Sequence, residues 1–162
     1  KTFRCYYTND ITGVQLGGVV KNILAIASGI VESQKLGESA RAALMTRGLA
    51  EMMKIGIAFG AKESTFYGLS GLGDLMLTCN SELSRNFVTG LLIGKGKKIK
   101  GIIKSKKTIS EGVINSKTIF SLSKKKKIEM PVCESIYRIL YKNVKIKETI
   151  EKILSRNIKK EN

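Results

Sequence analysis

The run GGVVKNILAIASG, Gly17 to Gly29, most constrains what this chain can fold into, because nearly every position is apolar or small. Such a segment belongs in an interior, and a composition with Pro131 as its only proline favours helix. The pattern extends to a helix over residues 12–32, rich in small residues, around which the rest must pack. One residue conflicts with burial: Lys21, with Asn22 beside it. Lysine is among the residue types least often fully buried. On a helix its face holds Gly17, Gly18, Leu24, Ala25 and Ser28, while Val20, Ile23, Ala27 and Ile30 line the bulkier neighbouring face. Spacing leaves two readings open. The lysine snorkels beside a close helix–helix contact, or it stands in a concave site touching an anion or a carbonyl oxygen. In the second case, desolvation or a neighbouring cation would lower its pKa from ~10.4 and let it act as a base.

Most of the remaining chain also reads as helix. GES at 37–39 is expected to cap a helix from Ala40 to Phe59, with Ala43, Leu44, Ala50, Met53 and Ile57 at helical spacing and Gly60 at its end. Shorter helices are expected near 83–95, 98–106, 111–125, 131–142 and 146–155, the fourth of these with Pro131 at its start. Residues 62–86 are the least regular, broken by Gly68, Gly71 and Gly73. Residues 1–9 alternate like a short strand, with Phe3, Cys5 and Tyr7 on one side. A single edge strand cannot stand alone, so its partners belong to a sheet outside this chain. The fold expected is all-α, with a stub of strand in front.

A chain of 162 residues suits one domain with a core of its own. Lys1 is not an initiator methionine, which fits a portion of a longer protein, and no signal peptide or apolar run of membrane-spanning length is read. The cysteines Cys5, Cys79 and Cys133 are odd in number and far apart, which points to a reduced, cytoplasmic protein. Histidine is absent, so Ser-His and Cys-His triads and His-bound zinc are excluded, and proton transfer falls to Lys, Asp, Glu, Tyr or Cys. The net charge of +16 is uneven: residues 1–90 carry 9 Lys/Arg against 7 Asp/Glu, and residues 91–162 carry 20 against 6. The excess is lysine mixed with isoleucine, without the aromatic or arginine interleaving that base recognition favours. A solvated helical surface is the reading preferred for it, with polyanion binding as the competing one.

Two further stretches carry candidate chemistry. GLSGLGDLMLTC, Gly68 to Cys79, has three glycines before Asp74, but its spacing is not that of a nucleotide fingerprint. Its bland reading is a turn with Asp74 as a helix cap. Because apolar residues follow, that carboxylate would lie at the lip of a buried element, as a candidate partner for a lysine. In ELSRN, Ser84, Arg85 and Asn86 offer a hydroxyl, a guanidinium fork and an amide where a helix opens. With the backbone N–H groups of the first turn they can bind phosphate, or they form an ordinary cap beside a surface arginine.

Taken in order, GVQLGGVVKNILAIASGI, ARAALMTRGLAEMMKIGIAFGA, GLSGLGDLMLTC, LSRN and EGV…IEMPVCESIYRILY resemble bacterial NAD(P)-dependent glycerol-3-phosphate dehydrogenase over residues 1–155. The resemblance is to its C-terminal helical substrate domain, of the 6-phosphogluconate-dehydrogenase C-terminal-like type. It implies that residues 1–10 are the remnant of the last strand of a Rossmann domain and that residues 11–162 form the helical substrate domain. It makes Lys21 the catalytic proton acceptor. Lys21, Asp74, Ser84, Arg85 and Asn86 become substrate-binding residues, and Arg85, Ile109 and Glu111 become contacts to NAD or NADP, with no metal. The implied reaction interconverts sn-glycerol 3-phosphate and dihydroxyacetone phosphate and feeds glycerophospholipid synthesis.

The implied partners are a small phosphate substrate and the protein's own N-terminal Rossmann domain, with room for a homodimer, no membrane and no nucleic acid. A lysine as the acid–base residue fits the missing histidine. Two departures stand out: Phe87 and Val88 follow SRN where the family often has basic residues, and no GxGxxG follows a strand in this chain. These residues alone are therefore expected to bind dinucleotide poorly and to show no turnover. From other classes of function, a basic nucleic-acid module or a packing or dimerisation unit is the alternative.

Overall fold

Asp10 starts the central helix. Its carboxylate accepts from the Gly13 backbone N–H at 2.9 Å, capping α1 (Ile11–Ser33). It also accepts from the Lys62 N–H at 2.9 Å and from the Thr65 hydroxyl at 2.6 Å. One side chain thus sets where α1 begins and pins a later segment against it. Hydrogen bonds, first from Thr65 and then from Gly13, hold the Asp10 carboxyl below its ordinary value.

The computed structural model describes residues 4–106 and 110–155. After α1 come α2 (Glu38–Ala58), α3 (Glu63–Tyr67), a π-helical turn (Leu69–Gly73) and α4 (Asp74–Cys79). Then follow α5 (Arg85–Gly94), α6 (Ile99–Lys106), α7 (Glu111–Lys125), α8 (Pro131–Lys142) and α9 (Ile146–Leu154). All regular structure among the described residues is helical, in line with the all-α class expected.

Helix α1 is the hub, packed by α2, α4, α5, α7 and α8. Val20, Ile23, Leu24, Ala25 and Ile26 are 0% exposed. Burying each of the larger ones contributes about 1.5–3 kcal/mol relative to leaving it in water. The closest approach is to α5, and the small residues explain it. A Cβ on Gly29 would overlap the Phe87 carbonyl, and one on Gly90 would overlap the Ile26 carbonyl. Two helices can cross this tightly only where both lack side chains.

Helix α8 is held from a distance. The Glu51 carboxylate on α2 is 3% exposed and accepts from the backbone N–H groups of Val132, at 2.7 Å, and Cys133, at 3.0 Å. It satisfies donors that a helix start leaves open, just after Pro131. Burial raises the Glu51 pKa, and the two N–H bonds partly oppose that.

The structure corrects four expectations. No strand forms among residues 4–9, where Tyr6 and Tyr7 are 66% and 96% exposed, because the segment has no neighbouring strand to complete a ladder. Helix α2 begins at Glu38 rather than Ala40, and Gly37 enters it at φ 88 without a side-chain cap. The stretch near 62–80 is not irregular but helical in short pieces, joined through the π turn. By length and composition α1 also suits a membrane span, although no run of that length was read from the sequence. Packing against the helices that surround it accounts for its apolar character.

Candidate active site

The middle turn of α1 carries Lys21 and Asn22, and the starts of α4, α5 and α7 meet it. The approach of α4 depends on glycine. A Cβ on Gly71 would overlap the Phe66 backbone, so only glycine lets the π turn fold back on α3. A Cβ on Gly17 would lie 2.9 Å from the Ser70 carbonyl oxygen, so the same turn lies against α1. The turn delivers Asp74 to Lys21, and their Nζ and Oδ2 atoms are 2.5 Å apart. The two side chains are 21% and 34% exposed, so the pair is partly sheltered and open on one side. Beside it, a Cβ on Gly18 would meet nothing within 4 Å. The small-residue strip therefore leaves open space next to the lysine.

Asp74 does not cap α4 as its bland reading expected. It is the first residue of the helix, and Gly73 precedes it without a side-chain cap bond. Its carboxylate is directed elsewhere: Oδ2 to Lys21, and Oδ1 to the Thr78 hydroxyl at 3.2 Å. The Thr78 hydroxyl also donates to the Asp74 backbone carbonyl at 2.6 Å. The far end of α4 is tied to α1 by the Ser28 hydroxyl, which donates to the Cys79 carbonyl at 2.8 Å.

On the other side, a buried amide network joins α1 to α5 and α7. The Asn86 Nδ2 donates to Asn22 Oδ1 at 3.1 Å, and the Gly112 N–H donates to Asn86 Oδ1 at 2.8 Å. The Asn22 Nδ2 donates to Glu111 Oε2 at 3.1 Å, which closes the loop because Glu111 adjoins Gly112. Asn22 and Asn86 are only 8% and 7% exposed, so their amide orientations are fixed by partners on every side.

The Ser-Arg-Asn triplet divides its work. Ser84 is the N-cap of α5 and accepts from the Phe87 N–H at 3.3 Å. Asn86 turns inward to the network. Arg85 stays at the surface, with its side chain 65% exposed, and contacts Glu111 Oε1 at 3.3 Å. Lys21, Asp74, Arg85, Asn86 and Glu111 thus gather around one turn of α1. Ile109 lies outside the described residues. Sequence reasoning gave no role to Asn22 or Thr78. Their only signals were adjacency to Lys21 and the one-turn spacing from Asp74.

Thiol chemistry has little support. Burial pushes the Cys79 thiol up to about 12, and burial raises Cys133 as well. Among the described residues no group of His, Cys, Asp and Glu could hold a metal. A cavity of about 640 Å³ lies between α8 and α9, lined by Glu134, Arg138, Glu148 and Lys152, away from the candidate residues.

Comparison with known proteins places the chain in a family by sequence and fold. Residues 10–151 match the family model described as NAD-dependent glycerol-3-phosphate dehydrogenase C-terminus. A glycerol-3-phosphate dehydrogenase [NAD(P)+] of Parvibaculum lavamentivorans is 48% identical over 99% of this chain and 48% of its own length. The crystal structure of glycerol-3-phosphate dehydrogenase from Coxiella burnetii superposes with a TM-score of 0.92 at 44% identity, over 96% of this chain and 48% of that one. The glycerol-3-phosphate dehydrogenase of Saccharomyces cerevisiae gives 0.79 at 29% identity, over 89% of this chain and 42% of that one. This chain spans about half the length of such relatives. By its sequence over residues 10–151 and by its helical fold, the chain belongs to the NAD-dependent glycerol-3-phosphate dehydrogenase family, as that family's C-terminal domain.

Proposed function

We propose that this chain is the substrate and acid–base half of an oxidoreductase that interconverts sn-glycerol 3-phosphate and dihydroxyacetone phosphate with NAD or NADP. The observation that carries the reading is the Lys21–Asp74 pair beside open space, with Arg85 at the start of α5 across the same turn. An ammonium on α1 and a guanidinium at the start of α5, which packs against it, suit a small molecule that has a reacting oxygen at one end and a phosphate at the other.

In the reducing direction, negative charge builds on the carbonyl oxygen. Lys21 stabilises it and delivers a proton, and in the oxidising direction it takes the hydroxyl proton. Asp74 holds the lysine in place and, with its remaining accepting capacity, a substrate hydroxyl. Arg85 grips the phosphate, aided by the N-terminal end of α5, and so fixes the reacting carbon relative to Lys21. Ser84 shapes that helix start, and Asn86 holds the floor of the site through Asn22 and Gly112.

Arg85 and Glu111 also fit the edge of a bound dinucleotide. They stand side by side, 65% and 63% exposed, as a cation for phosphate oxygens and an acceptor for hydroxyls. The chemistry supplied with a nicotinamide bound there is hydride transfer. The exposed Tyr6, Tyr7, Ile11 and Val14, around the start of α1, offer a surface for an N-terminal Rossmann domain, with residues 1–10 completing its last strand. Cys5, Cys79 and Cys133 are all free thiols, which suits a cytoplasmic setting; the proposed reaction would supply glycerophospholipid synthesis.

Calorimetric titration with glycerol 3-phosphate and with glycerol tests the reading. Glycerol 3-phosphate should bind and glycerol should not. Arg85→Ala should weaken binding at least roughly tenfold, as expected for loss of a charge-assisted contact. Equal binding of the two compounds, or an unchanged affinity in Arg85→Ala, would remove the phosphate site from the proposal.

A further inference from the structure

The contact between Arg85 and Glu111 has an asymmetry that the proposed reaction does not use. Glu111 is held from beneath: its Oε2 accepts from the buried Asn22 amide at 3.1 Å. Its Oε1 meets Arg85 through a single contact of 3.3 Å, between side chains 65% and 63% exposed. An exposed, one-point ion pair of this kind is weak, because water screens it and only one hydrogen bond directs it. A phosphate offers Arg85 more charge and several acceptor oxygens, which allow a two-point grip.

We propose that Glu111 is the resting counter-ion of Arg85 and that a phosphate group takes its place on binding. This rests on Arg85 being the anion-binding cation. The exchange has two consequences. Until a phosphate arrives, the guanidinium is partly neutralised and held at the mouth of the site, so weaker anions gain little there. Once the phosphate has taken Arg85, Asn22 still anchors Glu111, and its outer oxygen is free to accept from a hydroxyl. The pair thus favours ligands carrying a phosphate together with a neighbouring hydroxyl, the chemistry of phosphorylated polyols and of nucleotides.

Inorganic phosphate is the probe, followed through the backbone amide signals at the start of α5 by NMR. Phosphate should shift these signals in the wild-type chain and fail to do so in Arg85→Ala. Glu111→Gln keeps an oxygen for Asn22 but removes the competing charge. It should bind phosphate roughly two- to fivefold more tightly, the scale of an exposed ion pair. Glu82→Gln removes the same charge from a nearby exposed side chain and should leave the affinity unchanged. If Arg85→Ala still binds phosphate normally, the anion site and the exchange both fall. If Arg85→Ala abolishes binding but Glu111→Gln does not tighten it, or Glu82→Gln tightens it equally, the exchange alone is overturned.

Discussion

Lys21 and Asp74 make one short contact, and its geometry depends on a third residue that touches neither reacting end. The Thr78 hydroxyl shares its one proton between the Asp74 backbone carbonyl and the carboxylate oxygen that faces away from the lysine, and so steadies that carboxylate. Replacing Thr78 with valine keeps the shape but removes the hydroxyl. In an assembled enzyme, Thr78→Val should lower kcat about tenfold with little change in KM, because a loosened carboxylate misplaces the lysine. Thr78→Ser should restore most of the rate. Asp10 acts on stability instead. Its carboxyl lies below the ordinary value of 3.8, so its contribution is present above that pH and is lost as pH falls through the lower folded value. Urea denaturation should therefore show Asp10→Ala least stable relative to wild type near neutrality, with the gap narrowing below about pH 4. At this scale the sequence exposed Lys21 and Asp74, because a charge beside a small or apolar run is conspicuous, and Arg85, because it stands between a hydroxyl and an amide where a helix opens. It hid Asn22, whose role arises only when α5 and α7 bring Asn86 and Glu111 to it, and Thr78, whose bond to Asp74 one turn earlier matters only once the π turn has carried that carboxylate to Lys21.

Among the elements, α1, α7 and α8 were legible almost to the residue. Apolar periodicity, a glycine-rich face and a proline at a helix start each have a local cause that the sequence carries. The stretch around Gly68–Gly73 was not legible, because glycine reads as a helix breaker when no neighbour is visible. In the fold, Gly71 lies in a π turn where Phe66 leaves no room for a side chain. The turn needs that absence more than it needs backbone freedom. The same reasoning applies to Gly90, where α5 meets α1. Gly90→Ala places a methyl against the Ile26 carbonyl, which cannot move without moving α1. It should destabilise the domain by about 1–3 kcal/mol in urea denaturation, the usual cost of overpacking. Gly18→Ala, inside the same helix with open space beside it, should instead stabilise by about 0.5–1 kcal/mol, the usual gain of alanine over glycine in a helix interior.

For the whole molecule, the charge imbalance proved less informative than it looked. Part of the lysine-rich half is used within the fold: Lys124 pairs with Glu134 at 2.9 Å and lies over the Phe120 ring, and Lys126 lies over the Phe59 ring. The leading segment forms no strand within residues 4–9, and the sheet partners expected for it belong to the proposed nucleotide-binding half. The central claim is that Lys21, set on a buried helix and held by Asp74, is the acid–base group of the reaction. The most direct test joins this chain to the nucleotide-binding half of a relative and follows dihydroxyacetone phosphate reduction, comparing wild type with Lys21→Ala. Wild type should turn over. Lys21→Ala should lose about 10²–10⁴-fold in kcat while retaining its helical content and binding glycerol 3-phosphate through Arg85. Near-normal turnover in Lys21→Ala would contradict the claim.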